Sequence, residues 1–154
     1  MSVQWTHLTP VAPLPDDMIT GAELLLGVKF PTDYRDCLRT NHCGYPSPSE
    51  FVVPVEGRPF RSSLGTLLTI DPRAEYFNIF NYLPPMANEH HLPPTIIPIA
   101  QDGGGDFVCL DYRQSSIPTI VYWHHEVSGV EGITPLAGTF SELLASMQPE
   151  EVSI

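Results

Sequence analysis

The sequence predicts a single domain that combines helices with antiparallel β-strands. Its 154 residues fit one domain. Within residues 96–126, three apolar runs of strand length are separated by two polar breaks of about six residues, a spacing typical of an antiparallel meander. Elsewhere, apolar side chains recur at the spacing of an amphipathic helix. We divide the chain into an irregular lead-in at residues 1–15, a domain at 16–148 and an acidic tail at 149–154.

Two short helices are expected at the start of the domain. Asp16 or Asp17 can cap a helix that runs to about Leu26, and Gly27 suits the left-handed position after its end. Pro31 can begin the second helix, where its missing N–H costs nothing.

The middle of the chain alternates between strand and helix patterns. Residues 50–55 read as a strand that Pro54 pushes to a sheet edge, and residues 64–70 fit either a strand or a helix. A helix is predicted from 71 to about 82, followed by a proline-rich loop at 84–94. The meander comes next.

A last helix is predicted after three glycines that break the chain. Thr139 and Glu142 match a capping box, in which each side chain satisfies a backbone N–H of the other residue. Phe140, Leu143, Leu144 and Met147 would form the buried side of this helix.

The charge is strongly negative and unevenly distributed. The formal net charge is −11. Residues 1–74 hold eight acids and six bases, whereas residues 75–154 hold ten acids and Arg113 as the one base. Such a field repels phosphate backbones and attracts basic partners, so we expect no nucleic-acid binding. A general solubility charge is the alternative.

The cysteine usage and the apolar runs favour the cytoplasm. Three cysteines without a Cys-x-x-Cys pair fit a reducing compartment. The N-terminus lacks a secretory pattern, and no apolar run approaches the length of a membrane span. We therefore expect a cytoplasmic protein with no membrane association.

The three glycines between Asp102 and Asp106 are the feature of the sequence that most resembles a ligand-binding loop. A phosphate-binding loop would need a lysine and a hydroxyl residue after the glycines, and a calcium loop would need acids at alternate positions. Both patterns are absent from the sequence. We predict a hairpin turn, in which the glycines adopt positive φ and the aspartates accept local backbone N–H groups.

The histidine pairs, the cysteines and the aspartates raise the alternatives of a metal site or an enzyme active site. Adjacent histidines on a strand point to opposite faces, so only one of His124 and His125, and one of His90 and His91, could join a zinc site. A Cys–His enzyme and a paired-carboxylate hydrolase remain further alternatives, but neither has a recognisable motif. We therefore predict no enzymatic activity, no catalytic residue, no metal and no cofactor.

Several short motifs follow one another along the chain, in segments 22–31, 33–38, 41–44, 99–111, 121–126 and 140–144. Their order resembles the SUKH superfamily, which includes a fungal cell-wall-synthesis regulator and many bacterial immunity proteins. One departure is that His42 and Cys43 interrupt the family's asparagine-glycine pair.

The resemblance implies an α+β domain with a mainly antiparallel sheet of about four to six strands and helices packed around it. Members of the superfamily act by binding proteins, and several bacterial members neutralise nuclease or deaminase toxins. No catalytic residues carry over from the superfamily to this chain.

We therefore expect an immunity protein that occludes the basic active-site cleft of a cognate toxin. A regulatory or scaffolding module without a toxin partner is the alternative, and the oligomeric state is open. The residues expected to contact the partner are Glu75, Tyr82, Glu89, Asp102, Asp106 and Glu126.

Overall fold

The computed structural model describes residues 3–150, which form four helices and eight strands. The helices are α1 (Asp16–Leu26), α2 (Thr32–Asn41), α3 (Ile79–Asn88) and α4 (Phe140–Ser146). The strands are β1 (Gln4–Thr6), β2 (Tyr45–Ser47), β3 (Glu50–Val53), β4 (Phe60–Leu67), β5 (Ile96–Asp102), β6 (Phe107–Asp111), β7 (Thr119–Trp123) and β8 (Ile133–Ala137). A 3₁₀ turn at Gly129–Gly132 precedes β8.

The main sheet has six strands that follow one another in chain order from β3 to β8, and every neighbouring pair is antiparallel. This confirms the α+β fold and places the predicted meander at β5, β6 and β7. Strand β3 lies at an edge of the sheet and ends immediately before Pro54. The ambiguous segment 64–70 contributes to β4 and not to a helix.

Three strands, β1, β2 and β8, lie where the sequence predicted none. Strand β1 falls within the lead-in predicted to be irregular, and it pairs with β2. The prolines there oppose a helix but begin only at Pro10, so they leave residues 4–6 free to pair. Strand β8 includes Pro135, which is tolerated because β8 lies at the other edge of the sheet.

The predicted helix at 71–82 and the predicted loop at 84–94 were both wrong in their bounds. Residues 71–78 form turns, and Asn78 caps α3 by accepting the Phe80 N–H at 3.0 Å. Helix α3 then continues through Pro84 and Pro85 to Asn88. Each proline removes one backbone donor, and burial of Ile79 and Met86 on the inner side of the helix opposes that cost.

The first two helices begin slightly differently from the prediction. Pro15 and Pro31 occupy the N-cap positions, so neither Asp16 nor Asp17 caps α1 by its side chain. The two aspartates lie instead in the first turn, where they complement the positive end of the helix dipole. Gly27 has the predicted left-handed conformation, with φ of 72°.

The core is continuous from the helices to the sheet. Tyr34 of α2 is fully buried, and its ring meets the edges of Phe30 and Phe140 at centroid distances of 5.1 and 5.5 Å. Every residue of β6 is buried, which requires cover on both faces of the sheet. The central strands are therefore held rigidly, and their ends present turns to solvent.

Among residues 3–150, no helix combines the length and apolar character needed to cross a membrane.

Candidate functional site

A group of hydrogen-bonded polar side chains lies at one end of the sheet, beside the turn between β5 and β6. The register pairs Leu64 with Asp102 and Phe107 with Trp123, so the end of β5, the start of β6 and the end of β7 meet there beside the middle of β4. We call the polar side chains at this end the turn cluster: Ser62, Asp102, Asp106, Tyr122, His124 and His125.

Asp102 organises the turn. Its Oδ1 accepts the N–H groups of Gly104 and Asp106 at 2.9 and 2.8 Å, and its Oδ2 accepts the hydroxyls of Ser62 and Tyr122 at 2.7 and 2.5 Å. The two backbone bonds are the hairpin chemistry that the sequence predicted for Asp102, whereas the two hydroxyl bonds come from distant strands, and of the three glycines only Gly105 has the predicted positive φ. Gly105 has φ of 94°, and a Cβ there would stand 3.4 Å from the His125 ring, so glycine suits both the conformation and the space.

Asp106 ties the turn to the segment that follows β7. Its carboxylate lies 2.5 Å from the Tyr122 hydroxyl, whose single proton it shares with Asp102, and it accepts the His125 N–H at 2.9 Å. The Nδ1 atoms of His124 and His125 also contact this carboxylate. Burial raises the pKa of Asp106, but the hydrogen bonds from Tyr122 and His125 and the charge of His124 outweigh it, so the pKa is lowered overall.

The prediction that His124 and His125 point to opposite faces was wrong. Strand β7 ends at Trp123, so the strand alternation no longer applies and both rings turn to the same carboxylate. Within residues 3–150, no group of three or more histidine, cysteine or acidic side chains could hold a metal ion. The two histidines act here as partners of Asp106.

The turn cluster places Asp102 and Asp106 inside the protein and not on its surface. Their exposed fractions are 8% and 7%, and their carboxylate oxygens are occupied by the bonds described above. Burial, assisted by the two carboxylates, raises the pKa of Tyr122, which keeps its hydroxyl protonated as a donor. These two aspartates can therefore shape a binding surface through the turn that they hold, and a direct contact of either with a partner stays a prediction.

Exposed glutamates lie on two adjoining segments, one of which carries His124 and His125 of the turn cluster. His90 packs edge-on against Trp123 at a centroid distance of 5.1 Å, and the Gly129 N–H donates to the His90 carbonyl at 2.6 Å. Segments 89–91 and 124–132 therefore adjoin each other. They carry the exposed residues Glu89, Glu126 and Glu131, and we call this surface the acidic end.

Tyr82 and Glu75, the other two residues predicted to contact the partner, do not belong to segments 89–91 and 124–132. Tyr82 is half-buried and packs edge-on against Phe107 at 5.1 Å, so most of its ring supports the sheet. Glu75 is exposed but precedes α3, whereas Glu89 follows it. A helix of ten residues is about 15 Å long, and α3 stands between Glu75 and Glu89 in the chain.

Glu131 was missed by the sequence analysis, although the unequal charge of the two halves pointed to its region. Five arginines pair with acids: Arg35 with Glu23, Arg39 with Asp16 and Asp36, Arg61 with Glu50, Arg73 with Asp71, and Arg113 with Asp111. In the part of the chain that the structure describes, the side chains of Glu89, Glu126 and Glu131 form no ion pair or hydrogen bond. The acidic end is thus a source of uncompensated negative charge.

Segment 22–31, the first of the segments that carry the resemblance, has a structural role. Glu23 of α1 accepts the Phe30 N–H at 2.6 Å and pairs with Arg35 of α2 at 2.6 Å. The Tyr112 hydroxyl donates to the Lys29 carbonyl at 2.7 Å. These bonds fix the connection between the first two helices and attach it to the sheet.

Comparison with known proteins agrees with this architecture. A search of curated proteins gave no match. A family model described as SMI1 / KNR4 family (SUKH-1) matches residues 13–146, which include α1 to α4, the whole six-stranded sheet and the turn cluster. The chain therefore belongs to the SMI1/KNR4 family (SUKH-1).

Proposed function

We propose that this protein is a non-enzymatic immunity protein of the cytoplasm, which binds a cognate toxin and occludes its active site. Family membership supports a protein-interaction module. The observation that carries the finer proposal is the acidic end, where exposed carboxylates lack partners within residues 3–150. A toxin that cleaves nucleic acid needs a basic cleft for phosphate, and such a cleft complements this surface.

Charge and rigidity have separate roles in the proposed complex. Unpaired carboxylates accelerate the encounter with a basic cleft through long-range attraction. The turn cluster holds segment 124–132 in place before binding, which lowers the entropy lost on association. Glu89 and Glu126 contact the toxin directly, together with Glu131. Asp102 and Asp106 act by positioning, the exposed part of Tyr82 borders the surface, and Glu75 makes a peripheral contact.

Co-expression with the product of a neighbouring toxin gene tests the proposal. We expect a stable complex and protection of the host cell from the toxin. The double variant Glu126→Lys/Glu131→Lys should protect less well, whereas Asp17→Lys/Asp36→Lys, with the same change in net charge on the first two helices, should protect normally.

Failure of the wild-type protein to bind or to protect would overturn the immunity proposal. If it instead binds a basic protein that is not a toxin, through the same glutamates, then the regulatory or scaffolding alternative holds. Equal protection by both double variants would contradict the assignment of the acidic end.

A further inference from the structure

We propose that a groove beside the acidic end receives one large apolar side chain of the partner, flanked there by lysine or arginine. The groove lies between the β3–β4 hairpin and segment 124–132. This inference rests on the proposed function, because it names the contact that would anchor a basic protein partner.

The groove is apolar and has the dimensions of one side chain. It encloses about 240 Å³, and its lining includes Val55, Phe60, Tyr122 and Val127. The rings of Phe60 and Tyr122 meet edge-on at a centroid distance of 5.7 Å. Val55, Phe60 and Val127 are 37%, 38% and 36% exposed. Large side chains at the centre of an interface commonly bind in such pockets and dominate the affinity.

The groove is formed before any partner arrives. The Tyr122 hydroxyl is held by two carboxylates at 2.5 Å, so the floor cannot rotate away. On the other side, Gly132 is so closely packed that a Cβ there would stand 2.8 Å from the Val127 carbonyl and 3.0 Å from the His124 carbonyl. A preformed cavity loses less entropy on binding than one that must be ordered.

The charge around the groove selects the kind of partner. Glu131 lines it, while Glu56 and Glu126 lie on the same two segments and are exposed. Arg58 is the one lysine or arginine in residues 54–59 and 124–132. The carboxylate of Glu131 at the groove, with those of Glu56 and Glu126 on the two segments that form it, opposes acidic peptides and phosphate-bearing ligands and favours an apolar side chain that has basic neighbours.

A defined peptide tests the groove independently of the toxin. The probe is a short peptide with a central tryptophan and two lysines on each side, titrated into the isotope-labelled protein and followed by amide NMR shifts. We expect the largest shifts at Val55, Phe60, Val127 and Glu131. Replacement of the peptide's tryptophan by alanine, or of its lysines by glutamates, should abolish them.

Two variants of one segment provide the matched comparison. Val127→Lys should weaken peptide binding by on the order of tenfold, because it places a like charge in the groove. Val130→Lys should leave binding unchanged, because Val130 is 47% exposed in the same segment but does not line the groove. Thermal melts of both variants check that the fold is intact.

The absence of shifts, shifts centred on other residues, or equal effects of the two variants would each overturn the groove assignment. The toxin separates this inference from the proposed function. If Val127→Lys binds and neutralises the toxin as well as the wild type does, then the groove is not the anchor while the immunity role stands. A wild-type protein without a toxin partner would remove the immunity role, and the peptide result would still decide the groove.

Discussion

At the scale of single residues, Tyr122 connects the stability of the protein to its candidate binding surface. Its hydroxyl lies 2.5 Å from carboxylate oxygens of both Asp102 and Asp106, and its ring forms the floor of the groove. A hydroxyl has one proton, so it donates to one carboxylate at a time. Loss of this hydroxyl would leave two buried carboxylates without their shared donor.

We expect Tyr122→Phe to lower the free energy of unfolding by about 1–3 kcal/mol, the usual cost of an unsatisfied buried hydrogen-bonding group. Urea unfolding at neutral pH measures the change. Tyr76→Phe is the control, because Tyr76 is 70% exposed and should show no difference. If the two variants are equally stable, the shared hydroxyl has no energetic role.

Asp106 should make the protein sensitive to acid. Its pKa is lowered in the folded state, so its stabilising contribution is present above the unfolded pKa of about 3.9. That contribution is lost as the pH falls through the folded pKa. The neutral side chain of Asp106→Asn cannot titrate, so we expect the variant to lose less stability than the wild type below about pH 4.

Denaturant midpoints measured from neutral to acidic pH test this expectation. Asp17→Asn should keep the acid sensitivity of the wild type, since Asp17 is exposed and its side chain forms no hydrogen bond or ion pair with residues 3–150. Asp71 and Asp111 also have lowered pKa values, so part of the acid sensitivity persists in every variant. An Asp106→Asn curve parallel to that of the wild type would contradict the assigned role.

At the scale of elements, the β5–β6 turn shows what local sequence can determine. The glycines with flanking aspartates predicted a hairpin because both the conformation and the hydrogen bonds depend on neighbouring residues. The approach of His124 and His125 to Asp106 was not predictable in the same way. It depends on where β7 ends, which is set by packing and pairing between distant parts of the chain.

The bounds of helix α3, in contrast to the β5–β6 turn, could not be predicted from local sequence. The sequence pattern ended a helix near Tyr82 because Pro84 and Pro85 oppose helical continuation. The structure continues to Asn88, since Met86 is buried on the inner side of the helix. Tertiary packing therefore outweighed the local tendency of the two prolines to end the helix. As a result, the residues before Glu89 that were predicted to be a loop are helical, and Glu89 directly follows α3.

The fold was largely predictable, whereas the candidate site was only partly so. The meander, three helices and the edge position of β3 followed from local patterns and motif order. The acidic end depends on Gly129 bonding to His90, a contact between residues far apart in the sequence. No periodicity within either segment indicates such a contact, and for this reason Glu131 was missed.

The turn itself can be tested through Gly105. We expect Gly105→Ala to cost about 1–2 kcal/mol of stability, because φ is positive and the new methyl would approach the His125 ring at 3.4 Å. The matched control is Gly21→Ala in α1, where φ is not positive and a Cβ meets nothing within 4 Å. That variant should be neutral or more stable by up to about 1 kcal/mol. A stability loss in Gly21→Ala equal to that in Gly105→Ala would contradict the account.

At the scale of the whole molecule, the important feature is how the charge is distributed. The first half of the chain has nearly as many bases as acids, and five arginines of the chain are engaged in ion pairs. The second half holds ten acids and one base. The rigid sheet presents part of this excess at one end, next to a preformed apolar groove. This combination fits a surface that attracts a basic protein by charge and then anchors it by a single side chain.

The rate of association with the toxin at increasing salt concentration tests this claim most directly. For the wild type, we expect fast association that slows as salt screens the charges. Glu126→Lys/Glu131→Lys should associate about tenfold more slowly at low salt and depend less on salt, while Asp17→Lys/Asp36→Lys should behave nearly as the wild type does. An association rate that is indifferent to salt, or equally reduced in both double variants, would contradict the claim that the acidic end is the binding surface.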